Sequence, residues 1–149
     1  MTQDSGITGI AHVIQLSVAP VFLLSGIGAM LAVMTSRLGR VIDRARALEA
    51  KAHAEPGSAE SLQKELQMLS RRARQISRAI MLCTITALLV CGVIATLFIG
   101  AFFGFDASVP AAALFVAAML AFMTGLLLFV KEILLATANL RIGKHPSGT

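Results

Sequence analysis

Three long stretches of apolar side chains dominate the sequence, at 7–34, 79–105 and 109–130, and none of them contains a charged residue. Each is at least as long as the roughly 20 apolar residues that a helix needs to cross the hydrocarbon core of a bilayer. Since lipid offers no hydrogen-bond partner to a free backbone group, each stretch is expected to be helical. The pattern therefore predicts a membrane protein with three transmembrane helices.

The charged segment between the first two stretches, 37–78, has a different periodicity. Apolar residues recur at three- and four-residue spacing on both sides of one strong turn signal at 54–58, the spacing of a coiled-coil seam. We therefore predict an antiparallel helical hairpin that projects about 25 Å from the membrane, from about 17 residues in each arm at 1.5 Å per residue. The two seams are Leu38, Val41, Ala45, Leu48 and Ala52 on the first arm, and Leu62, Leu66, Leu69, Ala73, Ile76 and Ile80 on the second.

The fold class that follows is an all-α membrane protein of one domain over residues 1–149. A tight turn at 103–110 is expected to join the second and third spans, with Pro110 in the first turn of the third helix. A tail, 131–149, follows the last span. Rows of small residues should let the second and third spans pack closely. These rows are Gly92, Thr96, Gly100 and Gly104 on one helix, and Ala113, Ala117, Ala121 and Gly125 on the other.

The distribution of charge predicts the orientation. Only 14% of the residues are charged, against about 25% in an average soluble domain. Ten of the 13 lysines and arginines lie within 37–78, and the other three follow residue 130. By the positive-inside rule the hairpin and the tail should be cytoplasmic, with the N-terminus and the 105–110 loop outside. A nucleic-acid partner is not expected, because no aromatic residues interleave the arginines.

A stripe of small and hydroxyl-bearing residues on the first helix is the candidate functional surface. Two interpretations remain open: a close contact between helices, within or between subunits, or a wet path for ions lined by the first span. Gln15, in the outer part of the span, is expected to face the protein interior rather than lipid. The pore-lining candidates are Gln15, Ser17, Val21, Ser25, Gly28, Ala32, Thr35 and Ser36.

Charged residues near the inner edge of the membrane form two further candidate groups. Arg37, Arg40 and Arg44 share another face of the first helix, where they would form stacked basic rings in a ring-shaped oligomer or anchor the helix to anionic lipid. Glu132 is the acid nearest this edge, and a partly desolvated carboxylate needs a partner. An ion pair with Arg37 or Arg78 is the leading interpretation, and a proton or cation site is the lesser one.

No arrangement typical of an enzyme is present, so neither catalysis nor a cofactor or metal is predicted. The sequence has no nucleophile elbow, zinc-binding helix motif, paired CxxC or phosphate-binding loop. Cys83 and Cys91 are eight residues apart on one predicted helix, or about 12 Å, which is too far for a disulfide. Both are interpreted as packing residues.

The stretch IAHVIQLSVAPVFLL at 10–24, followed by SRLGRVIDR at 36–44, resembles an uncharacterised bacterial family of small three-span membrane proteins. The resemblance covers nearly the whole chain, and it implies a bacterial origin and a place in the inner membrane. It implies no activity and assigns no residue a role.

The function predicted from the sequence is a homo-oligomeric ion channel lined by the first span. The alternative is a non-conducting scaffold or sensor whose cytoplasmic hairpin binds a partner protein. Membrane lipids and further copies of the chain are the expected partners. A ring with the stripe facing a central axis would favour the channel, and a monomer or dimer with the stripe buried would favour the scaffold.

Overall fold

Three long α-helices account for nearly all of the described chain. The computed structural model describes the backbone of residues 3–54 and 59–140, and the side chains of 11–54, 60 and 62–135. The helices are α1 (Gln3–Ala54), α2 (Ala59–Phe103) and α3 (Ser108–Leu140). Each contains a segment long and apolar enough to cross a membrane. The predicted all-helical class with three apolar spans is therefore confirmed, and the described residues include no β-strand.

Helices α1 and α2 run antiparallel and pack along their length, including the charged half beyond the apolar spans. An ion pair between Arg44 Nη2 and Glu65 Oε1, which lie 2.7 Å apart, links the two arms in this charged half. The residues of both predicted seams are buried or half-buried, with Leu62, Leu69 and Ile76 the most enclosed. The pairing of the arms is thus confirmed, and α1 continues to Ala54 without a break. The predicted turn at 54–58 lies, beyond Ala54, outside the described residues.

The apolar core lies where α2 packs against both other helices. Ile27 and Met34 of α1 are fully buried, as are Cys83 and Val90 of α2 and Ala118 of α3. Outside this narrow core most side chains of the apolar segments face outward, and only 17–22% of their residues are buried. Phe102, for example, is 85% exposed. So much outward apolar surface needs a lipid environment.

The contact between α2 and α3 corrects one of the two predicted small-residue rows. Gly125 meets α2 closely, because an added Cβ would lie 3.3 Å from Leu82 Cβ. Ala113 and Ala117, however, are exposed, and the buried positions of α3 are instead Ala111, Ala118, Gly125, Phe129 and Glu132. A four-residue step turns by about 400°, so a strict four-residue row drifts by about 40° per step and leaves the contact face. The buried seam follows seven-residue steps instead.

Two glycines of the predicted small-residue row on α2, Gly100 and Gly104, serve the turn between α2 and α3. Gly104 has φ +71°, and its N–H and that of Phe105 donate to Gly100 O at 2.9 and 3.2 Å. This is a helix C-cap, for which a residue in the left-handed region, usually glycine, is required. Gly104 is exposed and so belongs to the cap rather than to the helix contact. Gly100 faces the turn: an added Cβ would lie 2.4 Å from Ala107 Cβ.

The Asp106 side chain binds the first residue of α3. Its Oδ1 accepts hydrogen bonds from the Ser108 N–H, at 2.9 Å, and from the Ser108 hydroxyl. The side-chain and backbone hydrogen bonds lower the pKa of the Asp106 carboxyl below its ordinary value. Pro110 falls in the first turn of α3, as predicted. The helix then runs to Leu140, ten residues past the predicted end of the span, and the rest of the tail lies outside the described residues.

Candidate functional site

The small-residue stripe of α1 faces away from the rest of the subunit. Of its predicted members only Ser17 is buried, and its hydroxyl donates to Val13 O at 2.8 Å. A Cβ added to Gly28 would meet nothing within 4 Å. The exposed members are Gln15, Val21, Ser25, Gly28, Ala32, Thr35 and Ser36. Contact with α2 or α3 therefore does not account for the stripe, and Gln15 does not face the interior of this subunit.

The hydroxyl groups on the stripe differ in their hydrogen bonding. Thr35 Oγ1 donates to Leu31 O at 2.7 Å, which satisfies the hydroxyl within its own helix. The side-chain hydroxyls of Ser25 and Ser36 make no hydrogen bond with the described residues. Both point outward; Ser25 lies within the apolar stretch, whereas Ser36 lies two residues beyond its end, beside Arg37. Within lipid the Ser25 hydroxyl finds an acceptor only in its own helix, in water or in another chain.

The second candidate group lies at the junction of all three helices, at the charged end of the apolar segments. Glu132 of α3 is only 4% exposed. Arg37 of α1 is its ion-pair partner, with Nη1 at 3.7 Å from Oε2. The Arg37 guanidinium also lies over the Phe129 ring, 5.4 Å from its centroid. Arg78, the other partner that the sequence offered, is exposed.

The buried carboxylate is incompletely satisfied. At 3.7 Å the contact with Arg37 is an ion pair rather than a hydrogen bond, which requires about 3.2 Å or less between nitrogen and oxygen. Glu132 Oε2 is buried and has no hydrogen-bond partner among the described residues. Removing a carboxylate from water is costly unless its lone pairs are satisfied. The geometry therefore leaves an acceptor at this junction that needs a donor.

A cleft of about 260 Å³ opens beside this carboxylate, with walls from all three helices. Arginine side chains form much of the lining, and two of them, Arg40 and Arg72, have no hydrogen bond or ion pair with the described residues. The lining residues are Arg37, Arg40, Val41, Arg72, Ile76 and Glu132. We refer to this feature as the junction cleft.

The three arginines that share a face of α1 differ in their ion-pair partners. Arg37 pairs with Glu132 of α3, and Arg44 pairs with Glu65 of α2. Arg40 lies in the junction cleft. Two of the three therefore link helices within one subunit.

Arg72 is the residue of this site that the sequence did not reveal. It is half-buried, one turn before the buried Ile76, so its place at the edge of the hairpin seam was the available signal. Elsewhere, Lys64, Arg71 and Arg74 lie along an open groove on the outer side of α2. Within the described residues no three histidine, cysteine, aspartate or glutamate side chains come together as a metal site would require.

Three helices of this length, with outward apolar surfaces and with lysines and arginines confined to one end, define a multi-pass membrane protein. The chain belongs to the DUF2721 family of proteins of unknown function, whose family model matches residues 17–142. The match begins within α1 and includes the outward stripe from Ser17, the hairpin and the junction cleft. No curated protein and no solved structure matches the chain.

Proposed function

We propose that copies of this chain assemble through the outward stripe of α1 and that the assembly conducts ions along that stripe. The observation that carries the proposal is the pair of outward hydroxyls, Ser25 and Ser36, which have no acceptor among the described residues. Around a common axis the Ser25 hydroxyl would face water or its symmetry mates instead of lipid, and Ser36 would lie at the charged end of the same path. Rows of small polar groups of this kind are typical of channel linings.

The open space around the stripe supports the same assembly. Gly28 and Ala32 are exposed, so a neighbouring helix can approach the α1 backbone closely. Arg37 and Arg44 are engaged with acids of their own subunit, which lowers the repulsion between subunits that a basic ring would cause. Arg40 is the member of that group whose charge stays available at the pore mouth or to lipid.

For the orientation we propose an external N-terminus, with the hairpin and the C-terminus in the cytoplasm of a bacterial inner membrane. The support is the distribution of charge, with ten of the 13 basic residues in the hairpin segment. Reporter fusions after Thr2, Ala54 and Thr149 measure this directly. The expected result is cytoplasmic activity at Ala54 and Thr149 only, and cytoplasmic activity at Thr2 would refute the orientation.

Cysteine accessibility tests the pore, in a background with Cys83→Ala and Cys91→Ala. Ser25→Cys and Ala32→Cys should react with a water-soluble thiol reagent in membranes and cross-link between subunits. Val33 supplies the matched control, since it lies at the same depth, about 100° round the helix. It is 51% exposed and directs its side chain away from Ala32, so Val33→Cys should stay unreactive.

Ion flux into liposomes then tests conduction. Ala32→Phe should lower the flux by narrowing the path, whereas Val33→Phe, which adds the same ring towards lipid, should leave it unchanged. A pore along this stripe would be refuted if Ala32→Cys and Val33→Cys reacted equally. It would also be refuted if neither Ala32→Phe nor Val33→Phe altered the ion flux.

The second candidate, a scaffold or sensor that binds a partner protein through the hairpin, has its own supporting observation. The outer groove of α2 combines three cationic side chains with Met68, which is 56% exposed. A cationic surface with an apolar anchor suits an acidic partner. Subunits that cross-link at Ala32→Cys but give no ion flux would favour this candidate over the channel.

A further inference from the structure

The junction cleft contains an excess of positive charge. Three guanidinium groups, of Arg37, Arg40 and Arg72, face one carboxylate, that of Glu132, so the lining has a formal charge of +2. Only Arg37 is neutralised by a contact within the described residues. The planar fork of a guanidinium matches the oxygens of a phosphate group, which it binds with two parallel hydrogen bonds. The cleft is therefore suited to a phosphate-bearing ligand.

The cleft lies at the depth of lipid headgroups. Glu132 comes two residues after the third apolar stretch, and Arg37 three residues after the first. The headgroup layer extends about 5–8 Å beyond the hydrocarbon on each side of a bilayer. Arg40 lies six residues, or about 9 Å, beyond the end of the first apolar stretch, and its long side chain can reach back into this layer. A phosphate at this depth comes from a phospholipid.

The unsatisfied oxygen of Glu132 restricts the ligand further. A phosphodiester alone offers the Glu132 carboxylate only acceptors and would be repelled by it. Glu132 lines the cleft at 4% exposure, and its Oε2 is buried with no hydrogen-bond partner among the described residues, so a hydroxyl or ammonium donor on the occupant suits this carboxylate. A ligand with one negative phosphodiester and neighbouring hydroxyls satisfies both the arginines and the carboxylate.

We propose that the junction cleft binds the headgroup of an anionic, hydroxylated glycerophospholipid, of which phosphatidylglycerol is the chemical type. Arg40 and Arg72 hold the phosphodiester, and a headgroup hydroxyl donates to the Glu132 carboxylate. The bound lipid would bridge α1, α2 and α3 at the point where the hairpin meets the membrane. This proposal is independent of ion conduction and of which side of the membrane the hairpin faces.

Native mass spectrometry of the delipidated full-length protein, titrated with defined lipids in detergent, tests the site. Arg40→Gln with Arg72→Gln should weaken the first phosphatidylglycerol adduct tenfold or more. The matched control is Arg71→Gln with Arg74→Gln, which removes the same charge from the same region but outside the cleft. The control should change the affinity less than twofold. An equal loss in both double variants would overturn the site, since it would indicate diffuse surface charge.

Two lipid comparisons test the headgroup chemistry and its source. Phosphatidylmethanol has the same phosphodiester charge as phosphatidylglycerol and lacks the hydroxyls, so it should bind severalfold more weakly. Equal affinities would overturn the role of Glu132 as acceptor. Millimolar inorganic phosphate or glycerol 3-phosphate should not displace the lipid, and displacement by either would overturn the lipid as the occupant in favour of a free phosphate compound.

Discussion

Substitution of Gly100 by alanine tests how tightly the α2–α3 turn is built. The added methyl group would lie 2.4 Å from Ala107 Cβ and 3.2 Å from Phe105 O. Unstrained carbon atoms stay about 3.5–4.0 Å apart, so the overlap with Ala107 exceeds about 1 Å. Phe105 O is a backbone atom and Ala107 has no rotatable side chain, so neither can turn aside. Relief requires a shift of the turn itself.

The cost follows from two opposing terms. Overpacking of a tight site costs about 1–3 kcal/mol. Replacing glycine by alanine within a helix returns about 0.5–1 kcal/mol, because the unfolded chain loses less conformational freedom. A shift of the turn also strains the two hydrogen bonds that Gly100 O accepts from Gly104 and Phe105. We expect a net destabilisation of about 1–2 kcal/mol, from the overpacking cost less the helical gain.

Thermal unfolding in detergent provides the assay, with Gly26→Ala as the matched control. A Cβ at Gly26 meets nothing within 4 Å, so only the helical gain applies there. With about 2–4 °C per kcal/mol for a chain of this size, Gly100→Ala should lower the Tm by about 2–8 °C. Gly26→Ala should leave the Tm unchanged or raise it slightly. If Gly100→Ala is as stable as Gly26→Ala, the close turn geometry is wrong.

Two further predictions concern the hairpin and the cysteines. Leu69 is 6% exposed on the hairpin seam, so Leu69→Asp should lower the unfolding free energy by about 3 kcal/mol or more, because it buries an unpaired charge. The neighbouring Met68 is 56% exposed, so Met68→Asp should change the unfolding free energy by less than about 0.5 kcal/mol. Urea or thermal unfolding of both variants measures the difference, and equal stabilities would contradict the pairing of the arms. In folded protein in detergent, the membrane-permeant reagent N-ethylmaleimide should label Cys91, which faces outward within the apolar segment, and spare the buried Cys83, whose Sγ lies 3.9 Å from Met34 Sδ. Mass spectrometry should count one label per chain before denaturation in SDS and two after it, and two labels before denaturation would show that Cys83 is accessible.

The fold was predictable because its constraints are local. The three apolar stretches have to be helices in lipid, whatever their neighbours are, and the hairpin arms carry their seams as a visible periodicity. The polar residues of the two arms contrast with the apolar residues of the seams, so the rotation of each arm could be read from the sequence. That contrast is why Leu62, Leu69 and Ile76 were correctly placed.

The packing of α3 was not predictable in the same way. Its span is apolar on all sides, so no contrast distinguishes the face that meets α2 from the face that meets lipid. The alanines at 113 and 117 were therefore assigned to the wrong face. The junction cleft depends on that same rotation, because it brings Glu132 of α3 beside side chains from two other helices. Arg37 could be predicted as a partner of Glu132 because both lie at the same edge of the membrane. Arg72 lies sixty residues before Glu132 along the chain, and nothing in the sequence indicated that it lines the same cleft.

The unbroken course of α1 has a mechanical consequence. No loop separates its apolar half from its charged arm, which extends about 25 Å beyond Arg37 at 1.5 Å per residue. Because α1 is continuous, a rigid-body tilt about the Arg37–Glu132 contact would move both of its halves. A tilt of about 10° about that contact moves the far end of the arm by about 4 Å, given that length. The same tilt swings the stripe of α1 in the opposite direction, so the position of the arm and the position of the stripe are coupled by geometry alone.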